Sequence, residues 1–303
     1  MKLWVIKAVT QKVISFLPFS HSINRFFQRY VSKGLILTEQ LFEDKLNHCR
    51  EHFDHFKKFG EQQELRVLEI GTGWYPVVPI GMYLYGAESI MSVDIEGLLK
   101  RNNVWHTIAM FIQWADKGIL ARSFGEYDKE RLEYLRQMKH DDLTVILDEL
   151  KIDYVVGDIM KNNSDFKASL IISNNTFEHI NPNKLVGILN EFRRRAIPGA
   201  IMSHAIDMSD HFSHLDKSIS EYNFLRFSDN AWKWVDNSIQ PQNRMRVNEF
   251  KAVYDDVGLP IIHETRIEGN RSAMNSIKLD GRFSKYDPED VAVIHCTLVS
   301  KIQ

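Results

Sequence analysis

Residues 66–74 read Arg-Val-Leu-Glu-Ile-Gly-Thr-Gly-Trp, an apolar run that breaks into two glycines one residue apart. A second apolar run, Ser-Ile-Met-Ser-Val-Asp, follows at 89–94 and ends on Asp94, 21 residues past Gly73. Strand, glycine turn, helix and strand in that order make a nucleotide-binding βαβ unit. Gly71 and Gly73 allow a sharp turn after the strand and a close approach of backbone N–H groups to a ligand, and the helix N-terminus beyond offers unpaired donors. The acidic residue ending the next strand is placed to accept hydrogen bonds from ribose hydroxyls. A dinucleotide site needs a third small residue three positions after the second glycine; Pro76 stands there, behind the bulky Trp74 and Tyr75. The ligand expected is a nucleoside without a pyrophosphate.

The pattern Glu69-x-Gly71-x-Gly73 with Asp94 resembles the first motif of the class I S-adenosylmethionine-dependent methyltransferases. Val155-Val156-Gly157-Asp158-Ile159 is similar to that family's third strand and its acidic residue near the adenine. Ala168–Ser173 followed by Asn174-Asn175-Thr176-Phe177-Glu178-His179-Ile180 is similar to the fourth strand and the element that faces the methyl group. A helix over 184–195, a Pro198-Gly199 turn and a strand over 200–206 continue the order, and the likeness runs over roughly residues 64–300. It implies a Rossmann-like α/β fold with a seven-stranded, mostly parallel sheet of order 3-2-1-4-5-7-6 flanked by helices. It also implies S-adenosyl-L-methionine as cofactor, held by Glu69, Gly71, Thr72, Gly73, Asp94, Ile95, Asp158, Ile159 and Asn174. Read without the family, the glycines also suit an ordinary tight turn, and Asp94 and Asp158 each suit a helix N-cap.

At 303 residues and 44% hydrophobic content the chain supports one large α/β domain with additions. A net charge of −2 argues against a broad nucleic-acid surface. Cys49 and Cys296, far apart, fit neither a disulfide framework nor a zinc knuckle, and a reducing cytoplasm is expected. Apolar runs are too short to span a bilayer. Residues 1–60 carry +5 and the remainder −7. In the first stretch Leu3, Ile6, Val9, Val13, Phe16 and Leu17 recur at helical spacing between lysines, so residues 1–17 suit either peripheral contact with an anionic membrane or packing on the protein's own domain.

An N-terminal helical cap is expected over 1–60, with helices at 2–17, 21–32 and 37–59, and the methyltransferase-like domain over 61–303. The 63 residues between Asp94 and Asp158 exceed the ~20–25 of a simple crossover, so a helical insertion is placed at about 97–150, with helices over 103–114 and 129–150. The segment of about 204–247, rich in histidine and aromatic residues, lies after strand five, where open α/β sheets build their sites. His204, Asp207, His211 and His214 include metal-capable donors, yet acceptor binding is the preferred reading and no metal is expected. His179 is the first candidate for a general base, with His204 and His211 behind it, and Glu178 is placed to orient the acceptor or the histidine. The expected acceptor is a small molecule, sugar or lipid-linked metabolite, methylated on oxygen, with no nucleic acid. Rival readings are a non-catalytic methyltransferase-like scaffold and a nucleotide-dependent oxidoreductase.

Overall fold

In Val67, Leu68, Glu69 and Ile70 alternate side chains point to opposite faces of a strand, and all four are buried. Such a strand needs cover on both sides, which is the condition of a central parallel strand. The computed structural model describes residues 2–16, 36–238 and 240–303, and it places this segment, β1 (Arg66–Ile70), in the middle of a seven-stranded sheet. The other strands are β2 (Ser89–Asp94), β3 (Ile152–Val156), β4 (Ala168–Asn174), β5 (Ala196–Asp207), β6 (Ile261–Glu268) and β7 (Val293–Lys301). Their order is β3-β2-β1-β4-β5-β7-β6. The first five run parallel; β7 enters antiparallel to β5, and β6 pairs antiparallel with β7. The expected order is the observed one.

The sheet's two faces make two cores. Val67, Ile90, Leu170, Ile172 and Ile201 face helices α2 (Glu39–Phe59), α3 (Val77–Leu84) and α4 (Arg101–Asp116), while Leu68, Met91, Ile171 and Met202 face α8 (Pro182–Arg195) and α10 (Val247–Asp256). Helix α2 starts on the side chain of Thr38, which accepts from the Leu41 N–H, and it sinks Phe42, Leu46, Cys49 and Phe56 into the first of these cores. It packs on the face of the sheet over β5 and β4.

The insertion is helical but more broken than its sequence pattern suggests: α4, α5 (Leu120–Phe124), α6 (Lys129–Gln137) and α7 (Leu143–Glu149). The expected helix over 129–150 divides because Asp142 turns its carboxylate onto the Thr144 and Val145 N–H groups and starts a new helix. Strand β5 likewise begins before its expected start at residue 200: Pro198 and Gly199 are absorbed as an irregularity in the pairing with β4, with Gly199 at φ +76°.

A third apolar cluster joins helix α1 (Leu3–Ser15) to the segment after β5, with Trp4 and Ala8 meeting Phe212, Phe227 and Trp232. That segment carries short 3₁₀ turns at His211–His214 and Asn223–Arg226 and helix α9 (Asp229–Val235); α11 (Arg271–Asn275) and α12 (Pro288–Ala292) close the chain around β6 and β7. The expected helix over 21–32 and the end of the expected helix over 2–17 lie outside the described residues. No helix among the described residues is long and apolar enough to cross a membrane.

Candidate functional site

The carboxyl edge of the sheet divides into two halves. Over β1, β2 and β3 the chain presents backbone. Gly71 and Gly73 have φ of +82° and +69°, a region that L side chains rarely adopt. They are not equivalent: a Cβ on Gly71 would overlap Thr176 Oγ1, whereas a Cβ on Gly73 would meet nothing within 4 Å. Gly71 is required by the neighbouring turn after β4, and Gly73 keeps space open.

Asp94 binds this loop. Its Oδ2 accepts from the Gly73 N–H at 2.7 Å and its Oδ1 from the Glu96 N–H at 3.0 Å. Burial raises its carboxyl pKa, and the two N–H donors oppose that rise. Ile95 beside it is 72% exposed and Val156 across from it 54% exposed, so two apolar side chains flank the loop in solvent. Asp158 accepts from the Met160 N–H as the N-cap of a 3₁₀ turn at Ile159–Lys161, and Ile159 is buried in the core.

Below the loop, Ser92 Oγ donates to Glu69 Oε2 at 2.6 Å and lies 2.6 Å from Thr72 Oγ1. Burial pushes the Glu69 carboxyl up to about 7, opposed by the Ser92 hydroxyl and the Lys45 ammonium. Glu69 and Thr72 therefore brace the loop from inside.

Over β4 and β5 the edge is built from side chains. Asn175, in the left-handed region at φ +47°, ends β4 and hands the chain to a 3₁₀ turn at Phe177–His179. Glu178 is 2% exposed, and neither carboxylate oxygen has a hydrogen-bond partner. Burial and the neighbouring Asp207 carboxylate raise its pKa well above the ordinary range. His179 lies at 2.6 Å, through Nδ1, from the Pro241 carbonyl. The carbonyl can only accept, so Nδ1 carries the proton and Nε2 the lone pair. Burial, aided by His211, pushes the His179 pKa down to about 4.

The segment after β5 brings His211 into the same place. Its Nε2 is 3.3 Å from Asp207 Oδ2, and its ring centroid is 5.1 Å from that of His179. Burial favours a neutral Asp207, but the bonds from His211 and Ser209 win and hold it below the usual carboxylate range. His214 is exposed; its Nε2 lies 3.2 Å from Ser209 Oγ and its ring centroid 5.6 Å from that of His211. Asn243 fixes the turn from beneath, donating through Nδ2 to the Phe177 and Ile180 carbonyls.

Of the expected site residues, the structure gathers Gly71, Thr72, Gly73, Asp94 and Ile95 at one half of the edge and His179 and His211 at the other. His204 is not with them. Its ring is fully buried and stacked between Phe177, centroids 4.4 Å apart, and Phe192, with Nδ1 bonded to Ser173 Oγ. Burial alone lowers its pKa to about 3, and no surface is left for an acceptor.

Sequence reasoning missed what α2 contributes. Its buried His52 lies 2.9 Å, through Nε2, from Asn174 Oδ1 and 2.7 Å, through Nδ1, from Ser203 Oγ. His55 Nδ1 is 2.9 Å from the same hydroxyl. Lys45, His48 and His52, spaced three and four apart, form one polar row on an otherwise apolar inner face. That row is the signal that was available.

The strand order decides the fold, because a dinucleotide-binding sheet runs parallel throughout while here β7 inserts antiparallel between β5 and β6. The fold is that of the class I methyltransferases. No protein-family model and no curated protein matches the chain. Among solved structures, TehB from Haemophilus influenzae is similar at 15% identity and TM-score 0.43, over 84% of this chain and 62% of that one. Phosphoethanolamine N-methyltransferase 2 from Haemonchus contortus, solved with S-adenosyl-L-methionine, is similar at 12% identity and TM-score 0.45, over 92% and 59%. The CcbJ methyltransferase from Streptomyces caelestis is similar at 10% identity and TM-score 0.46, over 85% and 96%. The chain thus spans about three-fifths of the length of the first two. With its methyltransferase fold, it carries a backbone-built half-site and a histidine-built half-site on one edge.

Proposed function

We propose that the protein is an S-adenosyl-L-methionine-dependent methyltransferase acting on an oxygen of a small-molecule, sugar or lipid-linked acceptor. The observation that carries this reading is the loop at Gly71–Gly73: two left-handed glycines, the second open on its Cβ side, tied to Asp94 between the exposed Ile95 and Val156. These residues suit a nucleoside. Asp94 would accept from ribose hydroxyls, Ile95 and Val156 would flank the base, and Asp158 would stand at its far edge. Asn174 has a buried, unpartnered Nδ2, a donor at the junction of the two half-sites. When bound, the cofactor supplies a methyl group already activated on a sulfonium.

The chain's own task is then positioning, which contributes up to ~7–11 kcal/mol of such a barrier, and removal of one proton. On this reading Glu178, His179, Asp207 and His211 would face the acceptor's oxygen. His179, neutral at pH 7 with Nε2 unprotonated, is able to accept a proton there. Contact of residues 1–17 with a lipid surface also belongs to this reading, supported by the exposed Leu3, Val9, Val13 and Phe16. Lys12 is engaged inward, donating to the Lys233 and Asp236 carbonyls, and Lys7 lies over the Phe212 ring. Such contact would therefore rest mainly on apolar side chains, with Lys2 the exposed cation of the helix start.

Calorimetry with S-adenosylhomocysteine tests the cofactor. Binding to the wild type is expected, weakened in Asp94→Ala by ~1–3 kcal/mol, roughly five- to 150-fold, as the ribose loses a charged acceptor. Equal affinity in the two proteins would remove Asp94 from that role. Stabilisation by NAD(P) in place of S-adenosylhomocysteine would overturn the reading.

A further inference from the structure

The turn after β4 and the turn after β5 bring the adjacent Glu178 and His179 together with His211, which lies more than thirty residues further along the chain. One ligand atom each from Glu178, His179 and His211 lies within 4.8 Å of the others. We propose that these three residues bind a divalent first-row transition ion, with zinc as the best match to two imidazole nitrogens and one carboxylate oxygen. The inference goes beyond methyl transfer and does not depend on it; in the metal-bound protein the His179 Nε2 lone pair is committed to the ion, so the base role proposed above belongs to the metal-free protein.

Three observations carry it. The first is Glu178: 2% exposed, with neither oxygen in a hydrogen bond of normal geometry, the Glu178 and Asp207 backbone N–H groups lying nearby but out of line. Buried carboxylate oxygens are almost always partnered, and those that are not call for a missing donor or cation. The second is the orientation of His179. Its Nδ1–H is spent on the Pro241 carbonyl at 2.6 Å, which fixes the tautomer and directs the Nε2 lone pair toward Glu178, 4.0 Å from its Oε1. A backbone carbonyl behind one ring nitrogen is the usual support for a metal-bound histidine. The third is His211, whose ring stands 5.1 Å from that of His179 and against the Asp207 carboxylate, which supplies a second negative charge beside the site.

The spacing is close to what an ion needs. Donors bound tetrahedrally at ~2.0–2.2 Å lie about 3.4 Å apart, so a pair at the 4.8 Å limit must close by about 1.4 Å. Rotation of exposed side chains would not normally create such a site, but here all three residues sit on short turns that follow packed strands. Three protein ligands leave a coordination position open, and an ion there can polarise an oxygen of whatever occupies the acceptor end.

The test is metal binding by the full chain, stripped with chelator and titrated with zinc by calorimetry, then with cobalt for its visible absorption. One equivalent is expected to disappear, or to weaken at least tenfold, in Glu178→Gln, His179→Ala and His211→Asn, while Asp94→Ala keeps it. Glu178→Gln preserves shape, so it decides the matter if a histidine variant fails to fold by circular dichroism. Absence of a stoichiometric site in the wild type would overturn the proposal. So would a site that survives unchanged in Glu178→Gln, since the ion would then belong to other residues. Failure to bind S-adenosylhomocysteine would leave the metal result standing, and the reverse also holds.

Discussion

The two halves of the carboxyl edge are made of different material. Over β1 to β3 the site is backbone: two glycines in left-handed conformation and one carboxylate that holds a main-chain N–H. Over β4 and β5 it is side chain: a buried carboxylate and two imidazoles on separate turns. A backbone-built half-site writes itself into sequence as a short, fixed spacing, because few residues other than glycine tolerate the angles. A side-chain-built half-site draws on distant segments and leaves no such spacing.

This contrast can be tested from the chemical end first. His179→Ala is expected to lower single-turnover methyl transfer by ~10²-fold or more while cofactor affinity stays within about twofold, if the histidine half takes the acceptor as proposed. Matching losses in rate and cofactor affinity would mean that the halves are not separable. On the backbone side, Gly71→Val and Gly73→Val should fail differently. Both suffer the left-handed penalty of ~1–2 kcal/mol, but only the first drives atoms into Thr176, adding ~1–3 kcal/mol of overpacking. Gly71→Val should therefore unfold at a clearly lower temperature, whereas Gly73→Val should keep most of its stability and lose S-adenosylhomocysteine binding. Equal melting temperatures would break the distinction.

A third measurement concerns Glu69, which braces the loop. Its folded pKa, about 7, lies above the ordinary carboxylate value near 4.5, so the folded state holds its proton more tightly than the unfolded state. That contribution is fully present below about pH 4.5 and is lost as pH rises to 7. Glu69→Gln is neutral at every pH and should gain stability relative to wild type across that window, by on the order of 1–3 kcal/mol from acid to neutral conditions. A constant difference between the two proteins from pH 4.5 to pH 8 would show that Glu69 is ionised throughout. The smallest effect is expected at α1: partition onto vesicles should be weak and should change less than about threefold with anionic lipid content, because Lys7 and Lys12 are engaged inward. A steep dependence on lipid charge would move the contact to other residues.

Most of the fold was legible because its parallel strands are short apolar runs and its turns are marked by glycine or by an acidic residue. Leu68 and Ile171 announce buried strands by their neighbours alone. The break in the insertion at Asp142 was written as an N-cap but hidden inside a continuous helical pattern. At the site, Gly73 and Asp94 could be read in order, whereas His204 could not be told from His211: both follow an apolar run, and only the packing of Phe177 and Phe192 shows that one is enclosed. His52 escaped because a histidine on the inner face of a helix has no local mark of its partner, and its partners Asn174 and Ser203 lie more than 120 residues away.

That inner row has a consequence in the bookkeeping of protons. Asn174 Oδ1 can only accept, so His52 must donate to it from Nε2 and receive at Nδ1. Ser203 has a single hydroxyl hydrogen, which must then go to His52, leaving its oxygen to receive from His55. The chain from His55 through Ser203 and His52 to Asn174 thus has one sense only, and His52, which must both donate and accept, has to be uncharged for it to close. Its terminus is an amide whose rotation is decided from the far side of the sheet: the oxygen is held toward α2, and the NH₂ is left turned the other way, at the seam between the two half-sites. A methionine substituted for His52 would fill the space and erase the direction.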